Sequence, residues 1–451
     1  MNDYQLEQQL RAWFRDEIAP TEVAPNSLRV VARELVGVRP SRFGPRRFLV
    51  LLAAALLITV MAAGALALAS GIVKLPWVRD LEPVPEPTFQ VTPTPDAQPR
   101  SWTPAEPMTV TRANHTATLL ADGTVLVVGG ASGDFGALTA SVDRYDPQTG
   151  MWTAGAELLE ARQLQTATLL ADGRVLVAGG VDANGQVLAS SELYDPEGDA
   201  WTASGTMSTT RTGHTATLLP DGTVLIAGGG EGESGQRSAE LYDPVGGAWT
   251  IAPSMATPRA FATGTALTNG TILVAGGIIT GTSSPSAELF NPESGTWIAA
   301  GEMVTPRIGH TATLLTDGSV LVTGGDVYRF EANTRGDPLR STELFDPITA
   351  TWSASADLSV PRDSHLAALL PSGEAVVIGG FSEKGGPLLA STELYDPATE
   401  SWTDGAEMLS PRSFSASTVL VDGTVLLTGG QNSVEGQASA LDSAELYGPG
   451  P

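Results

Sequence analysis

The sequence predicts an all-β fold, a seven-bladed β-propeller closed by pairing of its N- and C-terminal strands, preceded by one transmembrane helix and a short helical N-terminal segment. Two observations lead to this prediction. From residue 101 onward, a unit of about fifty residues recurs seven times, and each copy reads as four short strands separated by turn residues. Upstream, residues 48–70 form a run of 23 residues without a charge, which is long enough for one helical span of a bilayer.

The segment before the apolar run is predicted to be cytoplasmic. Residues 1–47 contain two amphipathic stretches, 3–15 and 27–36, with prolines between them, and both are predicted as helices. Four arginines stand just before the apolar run and few basic residues follow it, so the positive-inside bias places the N-terminus in the cytoplasm. This order of a small cytoplasmic segment, one transmembrane helix and a large outer domain resembles membrane-bound anti-sigma regulators. Residues 1–47 have no cysteine or histidine, so the zinc motif of the best-known group of these regulators is absent.

The apolar run at 48–70 is interpreted as a retained membrane anchor. The alternative is a cleaved secretory signal, because Ala67-Leu68-Ala69 resembles a small-residue cleavage site, but the preceding 47 residues are long for such a signal. Residues 71–100 include PVPEP and TPTP, and they are predicted as an extended Pro-rich linker. The body at 101–451 is then expected on the outer side of the membrane.

Charge and cysteine usage exclude several functions. Residues 101–451 carry 14 Lys and Arg against 40 Asp and Glu, a net charge of −26. Such a body repels phosphate backbones, so no nucleic-acid partner is predicted. The chain has no cysteine, which excludes disulfides, thiolate metal sites and a cysteine nucleophile.

Four features recur in every copy of the unit at constant spacing. A tryptophan stands at positions 102, 152, 201, 249, 297, 352 and 402. An arginine follows ten residues later, at Arg112, Arg162, Arg211, Arg259, Arg307, Arg362 and Arg412. A Gly-Gly pair begins seventeen residues after each arginine, at positions 129, 179, 228, 276, 324, 379 and 429. An aromatic residue precedes each following tryptophan by seven positions, most often within the sequence Tyr-Asp-Pro.

The third copy illustrates the four predicted strands. HTATLL at 214–219 is the first strand, and TVLIAGG at 223–229 is the second. Between them, Asp221-Gly222 predicts a two-residue hairpin turn in which both central residues have positive φ. SAELYDP at 238–244 is the third strand, ended by an Asp-Pro turn, and the segment around Trp249 is the fourth.

The glycine pair, the aromatic-Asp-Pro sequence and the following tryptophan at these spacings resemble the kelch repeat. The resemblance covers residues 101 to about 447 and implies a propeller of seven blades. The strand near Trp102 has no preceding third strand, and AELYGP at 444–449 has no following Trp strand. These two segments are therefore expected to complete one blade together, which leaves no open edge in the ring.

The recurring arginine is interpreted as a structural residue, because a catalytic residue is needed only once whereas this arginine occurs in every copy. A carboxylate also occurs in every third strand, and we expect seven two-pronged Arg–carboxylate pairs that hold each third strand to the loop before a first strand. A glycosidase pair of carboxylates is an alternative. The seven acidic residues are Asp143, Glu192, Glu240, Glu288, Glu343, Glu393 and Glu445.

The position three residues after the arginine holds all four histidines of the chain, His115, His214, His310 and His365. Gln165, Ala262 and Ser415 interrupt this series, so polar residues at a strand start are favoured over a metal site, which stays an alternative. The kelch family includes galactose oxidase, whose copper site uses tyrosines and histidines with a Tyr–Cys cross-link. That chemistry is not carried over, because cysteine is absent and no cofactor is predicted.

One region differs among the copies. The distance from the glycine pair to the third-strand aromatic residue varies from 14 to 21 residues, while the other spacings stay constant. Variable loops on one face of a rigid scaffold are a common way to build a binding site. The longest loop, 326–340, contains the predicted binding residues Tyr328, Arg329, Phe330, Arg335 and Arg340.

The predicted function is a membrane-tethered, non-catalytic binding module. Its expected partner is a protein or a carbohydrate on the face of the variable loops, and the basic and aromatic residues of 326–340 suit an anionic or carbohydrate-bearing ligand. One alternative is a transmembrane signalling regulator in which the propeller senses and residues 1–47 transmit. A carbohydrate-active or metal-dependent enzyme is a second alternative.

Overall fold

The computed structural model describes residues 99–133, 137–231, 234–329, 334–384, 386–434 and 437–449. The chain divides into two units, Met1–Pro93 and Thr94–Pro451, and every described residue belongs to the second. The described residues form strands, turns and bends without a helix, and they contain no helix capable of spanning a membrane. The helices predicted within 1–47 and at 48–70 lie outside the described residues.

Seven antiparallel sheets form the blades of the described body, and each has four main strands. The strand β1 (Arg100–Ala105) belongs to the last blade. Blade 1 comprises β2 (Thr116–Leu119), β3 (Val125–Val128), β6 (Val142–Asp146) and β7 (Met151–Gly155), with a loop hairpin of β4 (Ala131–Ser132) and β5 (Ala137–Leu138). Blade 2 comprises β8 (Thr166–Leu169), β9 (Val175–Ala178), β10 (Ser190–Asp195) and β11 (Ala200–Thr206). Blade 3 comprises β12 (Thr212–Leu218), β13 (Val224–Glu231), the short β14 (Ser234–Gly235), β15 (Ala239–Asp243) and β16 (Ala248–Ala252).

The remaining four blades follow the same order. Blade 4 comprises β17 (Thr263–Ala266), β18 (Ile272–Ala275), β21 (Ser286–Asn291) and β22 (Thr296–Glu302), with loop strands β19 (Ile278–Ile279) and β20 (Thr282–Ser283). Blade 5 comprises β23 (Thr311–Leu314), β24 (Val320–Thr323), β27 (Thr342–Asp346) and β28 (Thr351–Ala354), with loop strands β25 (Asp326–Arg329) and β26 (Thr334–Pro338). Blade 6 comprises β29 (Leu366–Leu369), β30 (Ala375–Ile378), β31 (Thr392–Asp396) and β32 (Ser401–Asp404). Blade 7 comprises β33 (Ala416–Val419), β34 (Val425–Thr428), β37 (Ala444–Pro449) and β1, with a loop hairpin of β35 (Gln431–Val434) and β36 (Gln437–Ala440).

The ring closes as the sequence predicts. The strand β1 pairs antiparallel with β37, from Arg100 opposite Pro449 to Ala105 opposite Ala444. Trp102 thereby packs on Tyr447 with ring centroids 5.0 Å apart, the arrangement that the other blades make from consecutive strands. The all-β, seven-bladed prediction is confirmed.

The hydrophobic core lies between the blades. Second strands such as β3 are buried at every position, because one face packs on the preceding blade and the other on the following blade. One cluster joins Val125 and Val127 of blade 1 to Leu426 of blade 7. The first strands of neighbouring blades contact one another around the axis. Burial on both faces explains why the second strands are almost entirely apolar.

Each tryptophan ties its blade to the preceding one. The indole packs on the third-strand aromatic ring of its own blade at 4.9–5.0 Å, and its Nε1–H donates to a carbonyl oxygen in or just after the fourth strand of the previous blade. The donor–acceptor distances are 2.7–3.3 Å. The tryptophan therefore recurs because it fills the outer core and satisfies its own polar group there.

The glycine pair is the inner connection between blades. The amide of the second glycine donates to the carbonyl oxygen of the repeat arginine in the next blade, at 2.8–3.1 Å in all seven junctions. At the first glycine the backbones come so close that a Cβ on Gly179 would lie 2.5 Å from the carbonyl oxygen of Arg211. Both glycines also have positive φ, so no other residue fits this pair without strain.

The turn between first and second strands differs from the prediction. In blade 3, Gly222 has φ of +86° whereas Asp221 has no positive φ. The Gly222 amide donates to the Leu219 carbonyl at 3.0 Å, and the Asp221 carboxylate accepts the Thr223 amide at 3.0 Å. The prediction that both central residues have positive φ is wrong, because the aspartate stabilises the turn through its side chain rather than through a left-handed backbone.

Candidate functional site

The seven repeat arginines are buried and paired within their own blades. One terminal nitrogen of each guanidinium contacts the third-strand carboxylate and a serine hydroxyl, and the other donates to two backbone carbonyls, one of them from the first glycine of the pair. The nitrogen–oxygen distances are 2.7 Å for Arg112–Asp143, 2.8 Å for Arg162–Glu192, 2.8 Å for Arg211–Glu240, 3.1 Å for Arg259–Glu288, 2.6 Å for Arg307–Glu343 and 2.7 Å for Arg362–Glu393. Arg412 pairs with Glu445 in the same way.

The contact is not the expected two-pronged one. The second oxygen of each glutamate accepts a backbone amide from the loop before the first strand, as Glu192 does from Leu159 at 2.7 Å. In blade 1 the shorter Asp143 accepts the Thr109 hydroxyl instead. The carboxylates thus hold the third strand, the arginine and the loop together. Since both oxygens are used inside the scaffold, these groups are poorly placed to act as a glycosidase pair.

The four histidines lie between blades. Each imidazole Nε2 contacts a threonine hydroxyl of the preceding blade, at 2.8 Å for His115–Thr428, 2.9 Å for His214–Thr166, 3.1 Å for His310–Thr263 and 3.0 Å for His365–Thr311. Gln165 bridges in the same way to the Val128 carbonyl at 2.9 Å. Burial, reinforced by the repeat arginine of the same blade, lowers the pKa of His115, His214 and His310 to about 3 and that of His365 well below its usual value. These side chains are inter-blade hydrogen-bonding groups.

Two of the seven junctions lack such a side-chain bridge. Ala262 has no polar group to offer blade 3, and the Ser415 hydroxyl donates to the carbonyl of Gly429 in its own blade at 3.0 Å. Of the three interruptions of the histidine series, Ala262 and Ser415 therefore mark the unbridged junctions between blades 3 and 4 and between blades 6 and 7, whereas Gln165 forms a bridge.

The predicted binding loop 326–340 is part of a second sheet. Its strands β25 and β26 continue the blade 4 loop strands β19 and β20 into one four-stranded sheet. The Tyr328 amide donates to the Ser283 hydroxyl at 3.2 Å, and its ring packs against Ile278 and Ile308.

The predicted binding residues of this loop are placed differently from one another. Tyr328 is only 6% exposed, and its ring packs inside the loop sheet. Arg340 is exposed. Phe330 and the side chains of Arg329 and Arg335 lie outside the described residues.

A ring of left-handed residues that the sequence did not reveal surrounds the axis on the same face. The second residue after each repeat arginine has φ between 51° and 61°, at Asn114, Leu164, Gly213, Phe261, Gly309, Ser364 and Phe414. We call these seven residues the mouth ring. In four of the seven blades the amide of this residue donates to the carbonyl of the mouth-ring residue in the preceding blade, as from Leu164 to Asn114 at 3.2 Å and from Asn114 to Phe414 at 2.9 Å.

Some mouth-ring residues are strained in this left-handed backbone conformation. Glycine and asparagine tolerate it, whereas a larger L-residue loses about 1–2 kcal/mol. Leu164 and Phe261 are 36% and 38% exposed, so burial does not explain their side chains. Strained residues with exposed apolar groups are candidates for ligand contact.

The closed ring of four-stranded blades places the described chain among the β-propellers. The kelch motif model matches residues 165–208, 211–256, 259–304 and 365–409, which begin near the first strands of blades 2, 3, 4 and 6. Together with the same spacings in the remaining blades, these matches show kelch repeats arranged as a seven-bladed β-propeller. A comparison with curated proteins found no match.

Many solved structures are similar to this chain, and two of them are given as examples. A fungal alcohol oxidase of the AA5 family, solved in complex with copper, is similar over 78% of this chain and 76% of its own length, with a TM-score of 0.62 and 20% identity. The structure of YjhT is similar over 67% of this chain and 99% of its own, with a TM-score of 0.53 and 17% identity. At these identities the likeness concerns the fold alone.

The described residues do not fit a copper site of the kind that the first similarity would suggest. No group of three or more His, Cys, Asp or Glu within the described ranges could hold a metal ion. The histidines are held between blades by threonine hydroxyls, and third-strand tyrosines such as Tyr194 and Tyr242 pack on the repeat tryptophans.

Proposed function

We propose that this kelch propeller is a non-catalytic binding module. Its partner, a protein or a carbohydrate, is expected on the loop face, which carries the loops between second and third strands and the mouth ring. The observation that carries the proposal is the second sheet formed by β19, β20, β25 and β26. A loop that deviates from the repeat, yet whose described strands pair into a sheet and are anchored by buried Tyr328, provides a firm surface on a rigid scaffold.

The buried titratable groups of the repeat are used in structural contacts, which supports a role in binding. The repeat arginines, the third-strand carboxylates and the histidines are engaged in contacts within or between blades. The described loop face is distinguished by exposed apolar side chains and by exposed Arg340, and the sequence adds arginines at 329 and 335 in the same loop. These arginines add positive charge to an otherwise acidic body and suit an anionic group on the partner.

We further propose that residues 48–70 tether the propeller to a membrane, with the N-terminus cytoplasmic and the propeller outside. The chain reaches the propeller at Arg100, which pairs with Pro449 at the end of a third strand. Third strands end at the face of the Asp-Gly turns, opposite to the loop face.

A transmembrane regulator is the second candidate. The strand β1 is the outermost strand of blade 7 and directly follows the Pro-rich linker, so a change in blade 7 could reach residues 1–47 through the chain. A cytoplasmic protein that binds residues 1–47 and is released when the propeller takes up a ligand would favour this candidate. An enzyme would be favoured instead by a stoichiometric transition metal in the purified protein.

The proposed function can be tested by binding measurements on residues 94–451, which contain every strand of the closed ring. Immobilised glycans and purified cell-surface proteins serve as probes. A matched variant replaces loop 326–340 with the shorter blade 3 loop, and a control shortens the blade 7 hairpin 431–440. Binding that is lost only in the first variant supports this loop. Binding that is equal in both variants contradicts the choice of loop, and absence of any binding contradicts the proposed function.

A further inference from the structure

The strand that closes the ring is held in its blade by non-covalent contacts alone. In blades 1 to 6 the fourth strand follows the third strand along the chain, whereas the fourth strand of blade 7 is β1, which comes from the other end of the propeller. No short turn ties β1 to its neighbour β37, so its pairing with β37 and its side-chain contacts keep it in the ring.

Arg100, the first residue of β1, reaches from blade 7 to the turn between the first and second strands of blade 6. Its Nη1 donates to Oε2 of Glu374 at 2.8 Å, and its Nη2 donates to the Ser372 hydroxyl at 3.0 Å. The Ser372 hydroxyl in turn donates to the same glutamate oxygen at 2.8 Å. We call these three residues the latch. Its ion pair is partly exposed, with side-chain exposures of 27% for Arg100 and 32% for Glu374.

The blade 6 turn departs from the repeat at both latch positions. Ser372 stands where the other six turns have an aspartate or asparagine before glycine, and Glu374 stands where they have threonine, serine or arginine. Of the salt bridges between described side chains, Arg100–Glu374 alone joins two blades. Because both exceptional residues bond the same arginine, this turn is fitted to β1 rather than to the repeat.

The junction that the latch crosses lacks a side-chain bridge at its opposite end. On the loop-face side, Ser415 bonds within its own blade, whereas the junctions on either side each have a histidine–threonine bridge. The strand β1 also reaches blade 6 through the Trp102 indole, which donates to the Ala406 carbonyl at 3.1 Å. The contacts of β1 thus supply side-chain bonds between blades 6 and 7 that the first strands do not provide.

We propose that the latch controls the release of β1 from the ring: it fixes the leading end of the strand to blade 6, and its opening is the first step by which β1 detaches. A partly exposed ion pair is weak and is screened by salt, whereas Trp102 is 6% exposed and packs on Tyr447. A pull on the chain before Arg100 therefore loads the latch before it loads the buried tryptophan. This inference goes beyond the proposed binding function and does not depend on it.

The experiment measures hydrogen exchange of the β1 amides by mass spectrometry, with the full-length protein in detergent. The test variants Arg100→Ala and Glu374→Gln each remove the ion pair of the latch. Arg144→Ala is the matched control. The Arg144 side chain is also 27% exposed and also bonds a carboxylate and a hydroxyl of a turn between first and second strands, those of Asp122 and Thr124, but it does so within its own blade.

The inference expects both test variants to speed the exchange of β1 about fivefold, the effect of losing one partly exposed ion pair. The strands of blades 2 to 4 should keep the exchange of the unmodified protein, and Arg144→Ala should leave β1 unchanged. Added salt should speed the exchange of β1 in the unmodified protein much more than in Arg100→Ala, because screening acts on a charge pair that this variant no longer has.

Three results would overturn the inference. Unchanged exchange of β1 in both test variants means that Arg100 does not hold the strand. Equal acceleration in every blade means general destabilisation, and acceleration of β1 by Arg144→Ala means that any surface ion pair has this effect. Should a variant fail to fold, the salt series on the unmodified protein decides, since exchange of β1 must then rise with salt before that of blades 2 to 4. None of these results bears on the loop face, so the proposed function is tested separately.

Discussion

The amide of Gly180 donates a hydrogen bond of 2.9 Å to the carbonyl oxygen of Arg211, and this bond joins blade 2 to blade 3. The equivalent bond recurs at every junction of the ring. It requires close approach of two backbones, which explains why the glycine pair and the arginine keep a constant spacing in all seven copies. The arginine thus has two roles, since its side chain holds its own blade and its carbonyl holds the previous one.

Gly179→Ala is expected to destabilise the protein far more than Gly173→Ala. Both glycines have positive φ, but a Cβ at Gly173 meets nothing within 4 Å, whereas one at Gly179 lies 2.5 Å from the Arg211 carbonyl oxygen. The turn variant should lose about 1 kcal/mol from backbone strain, and the junction variant about 3 kcal/mol or more from strain and overlap. Urea unfolding measures both, and equal losses would contradict the role of close approach.

Glu288→Gln is expected to cost about 3–5 kcal/mol of stability, because it leaves the charge of buried Arg259 without its carboxylate partner. Asp122→Asn is the matched control. Asp122 pairs with Arg144 at a partly exposed site, and blade 4 already has Asn269 at this turn position. The control should lose less than about 1 kcal/mol. Comparable losses in the two variants would show that burial of the repeat pair is unimportant.

Acid is expected to destabilise the propeller through its histidines. Burial lowers the folded-state pKa of His214 to about 3, whereas the unfolded value is near 6.5. The unfolded chain therefore binds more protons between these values, and stability falls as pH decreases from about 6.5 toward 3. His214→Gln, which places the residue type of Gln165 in blade 3, removes one titratable imidazole and therefore one proton that the unfolded chain would bind. Its unfolding free energy should depend less steeply on pH in this range, and an unchanged slope would contradict the burial of His214.

A chain that begins after β1 is expected to fail to form a stable ring. Truncation to residues 106–451 removes the partner of β37, the Trp102–Tyr447 contact and the Trp102 bond to Ala406, and it exposes a strand edge. A chain that begins at Thr94 is the control. Circular dichroism and thermal unfolding should show a folded control and a destabilised or aggregating truncation. Identical unfolding would mean that β1 does not close the ring.

Much of the fold could be predicted from local patterns. The constant spacings revealed the number of blades, and the unpaired first and last segments revealed how they close, because each blade is a local unit of consecutive strands. The turn type was wrong for a local reason: an aspartate before glycine can support the turn with its side chain as well as with its backbone. The recurring arginine and carboxylate were recognised as partners because both recur in every copy.

The candidate site could be predicted only in part. The loop 326–340 stood out by its length, but the buried position of Tyr328 depends on Ile278 and Ile308 from other segments. The mouth ring gave no signal, because asparagine, leucine, glycine, phenylalanine and serine share the same backbone conformation there. A run of different residues at one repeat position was the only visible sign, and it also fits a position without any constraint.

The sequence by itself determined the repeat, the seven blades, the closure by the two ends of the propeller and the loop that departs from the pattern, since all of these follow from spacing along the chain. The tertiary structure alone decided that the glycine pair contacts the arginine carbonyl of the next blade, that the histidines lie between blades, and that Phe414 of blade 7 packs on Phe381 of blade 6. The physical reason is that these contacts join neighbouring blades, where packing of two separately formed sheets selects the partners.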